Sequence, residues 1–198
     1  MEIDDSGEVV SHDIFKSVIH SKERMVYTDV SDILEKEDQK LINRYSDIYE
    51  QLLLMQQLAS ILRKRRYTRG SLDFDIDEAY ITLNEKGIPV SVEAAERRVA
   101  NRLIEEFMLA ANETIATHFF HLELPFVYRV HEKPSPEKIV EFKRFLSSLG
   151  IQLKGNPEHI HPKSLNEVLN EVRDTGKEHV VSTVMLRSMK KAAYSVEC

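Results

Sequence analysis

Cysteine, tryptophan and long apolar runs are scarce or missing in this chain of 198 residues. The one cysteine is Cys198, and there is no tryptophan. A single cysteine can form neither an intrachain disulfide nor a cysteine-based zinc site, which fits a reducing compartment and predicts a cytoplasmic protein. No apolar run approaches the roughly 20 residues of a membrane span, and the acidic N-terminus lacks the apolar core of a secretory signal. We therefore expect no membrane association.

Glycine, proline and positive charge are also in short supply. With 6 Gly, 6 Pro and 42% hydrophobic residues, the composition is typical of an ordered, helix-rich chain with a real core. Lys and Arg total 27 against 33 Asp and Glu, a net charge of −6 that argues against nucleic-acid binding on average. The exception is residues 63–69, which hold five cations in seven positions. This cluster either contacts nucleic acid or is a solvated helix end that complements its own dipole.

The first half of the chain predicts hairpins and helices in alternation. Residues 1–25 have the turn residues and strand formers of a β-hairpin. A short helix is expected from about Asp29 and a long one over residues 38–66, ended by Gly70. Residues 71–92 predict two or three strands that turn at residues 84–87.

The second half is predicted to be mainly helical. A long helix is expected over about 92–121, followed by a strand at 126–131. Ser135 and Pro136 open a helix that stops at Gly150, and two C-terminal helices meet near Gly176. No repeat or linker divides the chain, so we predict that residues 1–198 form one α+β domain or most of one.

Apolar residues recur every 3.5 positions along the first long helix. They are Leu41, Tyr45, Ile48, Leu52, Met55, Ala59 and Leu62. This heptad seam indicates either a coiled-coil interaction module or a helix covered by residues 28–35 within the same domain. The interaction module would be a dimer that becomes monomeric when Leu52 and Met55 are replaced by lysine.

Three groups of polar residues could carry chemistry. A strand would place Asp73, Asp75 and Asp77 on one face, either as a Mg²⁺ site or, as we favour, as an acidic solvent face. No zinc site is expected, because the histidine pairs have no third ligand at a standard spacing; these are His118 with His121 and His159 with His161. One stripe of the second long helix could bind a ligand's hydroxyl groups or satisfy a neighbouring loop, and it contains Arg98, Asn101, Glu105 and Asn112.

Five sequence runs together carry a family resemblance. They are "ERMVYTDVSDIL", "RGSLDFD", "RRVANRLIEEFMLAANE", "PFVYRVHEKPS" and "LRSMKKAAYS". In order and spacing they resemble the ribonuclease II/ribonuclease R family of RNB-domain 3′→5′ exoribonucleases, in its ribonuclease R branch. The resemblance covers essentially the whole chain and the C-terminal half of the catalytic domain. It implies an incomplete α+β RNB domain with β-hairpins and several long helices.

The resemblance also implies an activity and its cofactor. The family hydrolyses single-stranded RNA processively to nucleoside 5′-monophosphates with two Mg²⁺ ions, and this part would pack the domain and line the RNA channel. The family's metal-binding Asp run would precede Met1, and its catalytic arginine segment would follow Cys198. We therefore expect no catalytic residue and no bound metal in residues 1–198. The isolated chain should be inactive and should self-associate through uncovered apolar surface.

The resemblance implies RNA-binding residues within the chain. Phe74 would stack on bases near the RNA 3′ end, although a strand residue at this position could equally face the core. One glutamate of "RLIEE" would contact ribose, and helical geometry favours Glu105 over Glu106. Further candidates for contact with the RNA backbone are Arg129, His131, Arg187 and Lys190.

Overall fold

The computed structural model describes residues 1–72, 74 and 79–197. These residues form two compact units: the first contains residues 1–65 and 79–118, and the second contains 66–72, 74 and 119–197. Helices combine with three two-stranded antiparallel sheets in this part of the chain, which confirms the α+β class. No described helix is long and apolar enough to cross a membrane. The assignment of residues 1–198 to a single domain stays a prediction.

Up to His121, the described residues form helices and strands in the order β1 (Glu2–Ile3), β2 (Val9–Ser11), α1 (Tyr27–Lys36), α2 (Gln39–Arg44), α3 (Ser46–Arg69), β3 (Ala79–Leu83), β4 (Pro89–Ala94) and α4 (Val99–His121). The rest follow as β5 (Tyr128–Val130), α5 (Pro136–Ser148), a 3₁₀ turn (Pro157–His159), α6 (Pro162–Val172), α7 (Glu178–Ser188) and β6 (Ala193–Ser195). Strand pairs are sequential for β1–β2 and β3–β4, whereas β5 pairs with the distant β6.

Local sequence signals set several of these boundaries. Between β3 and β4, the Asn84 side chain accepts hydrogen bonds from the backbone N–H groups of Lys86 and Ile88 at 2.9 and 3.0 Å, which closes the predicted turn. Ser135 caps α5 by accepting from the Lys138 N–H at 3.4 Å. After α5, Gly150 adopts the left-handed backbone (φ 77°) that ends a helix at little cost to glycine. These three predictions are confirmed.

The core of the second unit lies between α5, α6 and α7. Its most deeply buried members come from all three helices and include Ile139, Phe142, Leu146, Val168, Val172, Val181 and Met185. Amphipathic helices expose one polar face and bury one apolar face, and here the three apolar faces meet in one cluster. This unit therefore has its own hydrophobic core.

The heptad seam is covered within the first unit. Tyr45 and Leu52 are buried together with Ile33 of α1, and the partly buried Leu41, Ile48 and Met55 pack around them. The seam thus meets α1, which contains all of residues 28–35. This supports the interpretation that the stripe is internal, and it does not favour the interaction module.

Two predicted elements are shorter or more broken than expected. The first hairpin ends at Ser11 rather than near Met25, and the apolar side chains of Phe15, Val18 and Ile19 are exposed instead of packing as a strand. The predicted helix over 38–66 is interrupted at Tyr45. The Tyr45 ring is buried and its hydroxyl donates to Asp29 Oδ2 at 3.0 Å, so a contact distant in sequence holds the break.

Two further boundaries also differ from the prediction. The second long helix begins at Val99 rather than near Val92, because β4 continues to Ala94. Strand β6 was not predicted, and it exists because Ala193, Tyr194 and Ser195 pair with β5. A strand of three residues has little periodicity of its own, so only its partner reveals it.

Candidate functional site

The candidate ribose contact, Glu105, lies on α4 in the first unit and is accessible to solvent. Its carboxylate accepts hydrogen bonds from Arg97 Nε at 3.0 and 3.2 Å, and its side chain is 35% exposed. Glu106 is 4% exposed and lines a pocket with Arg63 and Arg102. Of the two glutamates, Glu105 is therefore the one that a ligand could reach without opening the unit.

The start of α4 is held by side chains from α1. Glu35 accepts the Val99 N–H at 2.9 Å, and the buried Ser31 hydroxyl accepts the Ala100 N–H at 3.3 Å. The first N–H groups of a helix lack partners within the helix, so these acceptors serve as a cap supplied from elsewhere in the chain. Arg98 donates to Glu35 at 2.7 and 3.0 Å. The α4 stripe is thus engaged with the protein itself at its first turn.

Two carboxylates of α1 that accept hydrogen bonds from Arg98 have lowered pKa values: Glu35 of the cap and Asp32. The Val99 N–H, followed by Arg98, lowers the pKa of Glu35 below its usual value. Hydrogen bonds from Lys36 and then Arg98 do the same to the pKa of Asp32. In both cases the charged form of the carboxylate is the one that the surrounding donors stabilise.

These lowered pKa values predict a loss of stability in acid. A carboxylate with a lower pKa in the folded chain binds fewer protons than in the unfolded chain, so its contribution is full near neutral pH and disappears as pH falls through the lowered folded pKa. Replacing Glu35 with glutamine should lower stability at neutral pH and flatten the acid dependence. The measurement is the free energy of unfolding between neutral pH and pH about 3, by urea denaturation.

The matched control for this prediction is Glu50→Gln, which removes an exposed carboxylate in α3 of the same unit. It should leave the acid dependence close to that of the unsubstituted chain. An identical acid dependence in the Glu35→Gln variant and the unsubstituted chain would show that the α4 cap does not depend on this charge.

Three candidate residues, Arg129, His131 and Lys190, lie in or next to the two-stranded β5–β6 sheet of the second unit. Arg129 lies in β5 and His131 is the first residue after it, and both are exposed. Lys190 forms an ion pair with Glu132, which ties the segment after α7 to the end of β5. Arg187 is exposed in the last turn of α7. The β5–β6 sheet thereby brings together residues more than fifty positions apart in the sequence.

One exposed aromatic residue of the β5–β6 sheet is not indicated by the sequence. Tyr194 of β6 lies directly opposite Arg129 of β5 in the antiparallel register. Nothing in the local sequence "AAYS" indicates this pairing, because the register depends on a strand more than sixty residues away. The tertiary structure alone places an aromatic ring beside the cation.

Phe74 lies in the second unit and is partly buried. It packs with Leu72 against the core formed by α5, α6 and α7. This contact favours a packing role, and base stacking by Phe74 stays a prediction. Its acidic neighbours Asp73, Asp75 and Asp77 lie outside the described residues.

The histidine pairs and the basic cluster make contacts within the protein. His118 is within 3.0 Å of His12, ring nitrogen to ring nitrogen, and His161 caps α6 by accepting the Lys163 N–H at 3.1 Å. In the basic cluster, Arg65 donates to the Gly7 carbonyl at 3.0 Å and Arg66 donates to the Ser71 hydroxyl at 2.7 Å. These contacts give part of the cluster a structural role, and its binding to nucleic acid stays a prediction.

Curated proteins provide a comparison over nearly the full chain. Ribonuclease R of Thermotoga maritima is 43% identical over 196 residues, which are 98% of this chain and 27% of that protein. Ribonuclease R 1 of Lactococcus lactis is 40% identical over 195 residues, covering 98% of this chain and 24% of that protein. Ribonuclease R of Escherichia coli is 33% identical over 199 residues, covering 100% of this chain and 24% of that protein. The chain therefore spans about a quarter of the length of these relatives.

Solved structures and a family profile agree with these relatives. Mycoplasma genitalium RNase R, in complex with ribose-methylated single-stranded RNA, matches with a TM-score of 0.75 and 25% identity over 86% of this chain and 26% of that one. Its complex with double-stranded RNA matches equally well over 86% of this chain and 30% of that one. The RNB domain profile matches residues 1–197. Since this match leaves out only the last residue, the chain belongs to the RNB domain family.

Proposed function

We propose that this chain forms part of the catalytic domain of a 3′→5′ exoribonuclease that hydrolyses single-stranded RNA to nucleoside 5′-monophosphates. The observation that carries the proposal is the RNB domain match over residues 1–197. Relatives that are 33–43% identical to this chain over the aligned 195–199 residues are named ribonuclease R. The chain corresponds to about a quarter of their length, so its role is that of one portion of a larger enzyme.

The described residues do not fit a magnesium centre. Two-metal hydrolysis of a phosphodiester requires clustered ligands that hold both ions beside the scissile bond. Across residues 1–72, 74 and 79–197, no three His, Cys, Asp or Glu side chains come together as a metal site. We therefore assign no step of the hydrolysis to these residues, and propose that they pack the domain and line the path of the RNA.

Contact with RNA is proposed separately for each unit. In the first unit, Glu105 is accessible and can accept a hydrogen bond from a ribose 2′-hydroxyl, a group that DNA lacks. In the second unit, the exposed cations Arg129 and Arg187 can pair with phosphates, which position a strand without reading its sequence. Lys190 and His131 lie next to the β5–β6 sheet, close in sequence to its strands, and would add to the contact made by Arg129.

A chimeric enzyme tests the proposed function. The matched 196 residues of Thermotoga maritima ribonuclease R would be replaced by the corresponding residues of this chain. We expect the chimera to shorten single-stranded RNA from its 3′ end, because the substituted portion has the same fold and packing role. The measurement follows 5′-labelled RNA for stepwise shortening and 3′-labelled RNA for released mononucleotides.

Two controls define the outcome of the chimera experiment. The isolated chain should release no mononucleotides with or without Mg²⁺, and the unsubstituted Thermotoga enzyme sets the full rate. A chimera that folds and binds RNA but does not shorten it would contradict the proposal. Metal-dependent cleavage by the isolated chain would contradict the assignment of packing and RNA contact alone.

Substitution of Glu105 in the chimera tests the ribose contact. Glu105→Gln should reduce the preference for RNA over a matched strand with one deoxyribose, because the amide is a weaker acceptor than the carboxylate. Arg97→Gln is the matched control, since it removes the ion pair but keeps the Glu105 carboxylate. If both variants change the preference equally, Glu105 acts through its pairing with Arg97 rather than through ribose.

A further inference from the structure

We propose that the outward face of the β5–β6 sheet binds single-stranded RNA, with one base stacked on the Tyr194 ring and a neighbouring phosphate paired with Arg129. The inference rests on the proposed function and adds a specific contact surface to it. The evidence is the register of the two strands, the exposure of Tyr194 and Arg129, and the charge of the residues around the β5–β6 sheet in the second unit.

The register of the β5–β6 sheet places the Tyr194 ring and the Arg129 guanidinium on neighbouring strands. Arg129 and Tyr194 are directly opposite each other in an antiparallel pair, an arrangement that puts both side chains on one face with Cβ atoms about 5 Å apart. Tyr194 is 78% exposed, and Arg129 is exposed beside it. A tyrosine with most of its surface in water has a ring face available for a planar ligand.

The opposite face of the β5–β6 sheet packs against aromatic side chains of the same unit. Tyr128 is buried and packs edge-on against Phe126 at 5.3 Å between ring centroids. Phe126 in turn stacks on Phe119 of α4 at 4.6 Å with an interplanar angle of 8°. This aromatic row holds β5 to the unit, so the exposed pair is presented by a fixed strand rather than by a loose terminus.

The net positive charge of the residues in and around the β5–β6 sheet complements a nucleic acid. Residues 126–133 and 190–197 hold four cations against two carboxylates, a net side-chain charge of +2 in a chain whose total is −6; the six residues are Arg129, Lys133, Lys190, Lys191, Glu132 and Glu197. Glu132 is already paired with Lys190. A local positive surface on an acidic chain is the feature expected at a site for phosphates.

The combination of ring and cation favours a single strand. Bases in a duplex are stacked on each other, whereas an unpaired base has both faces free for an aromatic side chain. Stacking accepts any base, and a phosphate contact carries no sequence information. The surface should therefore bind single-stranded RNA with little sequence preference, and single-stranded DNA nearly as well.

The test measures binding of a fluorescein-labelled single-stranded RNA to the 198-residue chain by fluorescence anisotropy at low salt. Tyr194→Ala should weaken binding about 5- to 150-fold, the range for loss of one stacked base, while Tyr194→Phe should bind like the unsubstituted chain. Arg129→Gln should lower the slope of log affinity against log salt by about one. Tyr80→Ala is the control, because Tyr80 is also an exposed strand tyrosine, 63% exposed, but lies in a different two-stranded sheet, β3–β4.

Several outcomes would overturn the inference. Unchanged affinity in Tyr194→Ala, equal loss in Tyr194→Phe, or no binding by the unsubstituted chain would each remove RNA from this face. Self-association abolished by Tyr194→Ala, with RNA affinity unchanged, would assign the face to a second copy of the chain. The chimera assay reports the proposed function independently, so an active chimera combined with any of these results would overturn the surface alone.

Discussion

Replacing Phe142 with alanine should lower the free energy of unfolding by about 3–5 kcal/mol, the range for removing a large buried aromatic side chain. Phe142 is 1% exposed and lies between Ile139 and Leu146 at the centre of the second unit's core. Two terms contribute to the loss: the favourable free energy of burying the ring disappears, and a cavity is left among the three helices. Urea denaturation followed by far-UV circular dichroism gives the free energy.

The control for Phe142 is a phenylalanine that the structure leaves in water. Phe120 of α4 is 53% exposed, and Phe120→Ala should change the free energy of unfolding by less than about 1 kcal/mol. Similar losses in the two variants would mean that the core of the second unit is not organised around Phe142.

Replacing Leu52 with alanine should lower the free energy of unfolding by about 2–5 kcal/mol, because its side chain is buried against α1. Leu52 is 7% exposed, while Leu54, two residues further along α3, is 62% exposed. Leu54→Ala is therefore the matched control and should have an effect of about 0.5 kcal/mol or less. Both free energies come from the same denaturation experiment.

The Leu52 variant also tests whether the heptad seam is an interface between chains. If the seam joined two copies, Leu52→Ala would halve the mass in sedimentation while leaving the stability of each copy nearly unchanged. If the seam is internal, stability falls and the mass does not. The burial of Leu52 with Ile33 and Tyr45 predicts the second result.

Features decided by neighbouring residues were predictable from the sequence. Ser135 and Pro136 begin α5, Gly150 follows its end, and Asn84 closes the β3–β4 turn. In each case, the hydrogen bond or backbone angle involves residues within about four positions, so the local sequence contains the whole interaction. The apolar period of residues 41–62 likewise indicated a helix face that packs on a partner, and residues 28–35 were one of its two predicted covers.

The candidate site was predictable only in part, for the same reason. Helical geometry on α4 separated Glu105 from Glu106, and the structure leaves the first accessible and the second buried. Sequence pattern could not show that Arg97 pairs with Glu105, nor that α1 caps the start of α4 through Glu35 and Ser31. The start of α4 depends on acceptors more than sixty residues away, and its predicted position was wrong by about seven residues.

Local signals in the sequence were enough to predict the turn at Asn84 and the two ends of α5, and five runs of residues were enough to indicate the family. The tertiary structure decided the break at Tyr45, the start of α4 and the pairing of β6 with β5. It also placed Tyr194 beside Arg129, a proximity that neither residue's neighbours encode. The physical reason is that such contacts form only after chain closure over tens of residues, where packing and hydrogen bonding between distant segments outweigh local preference.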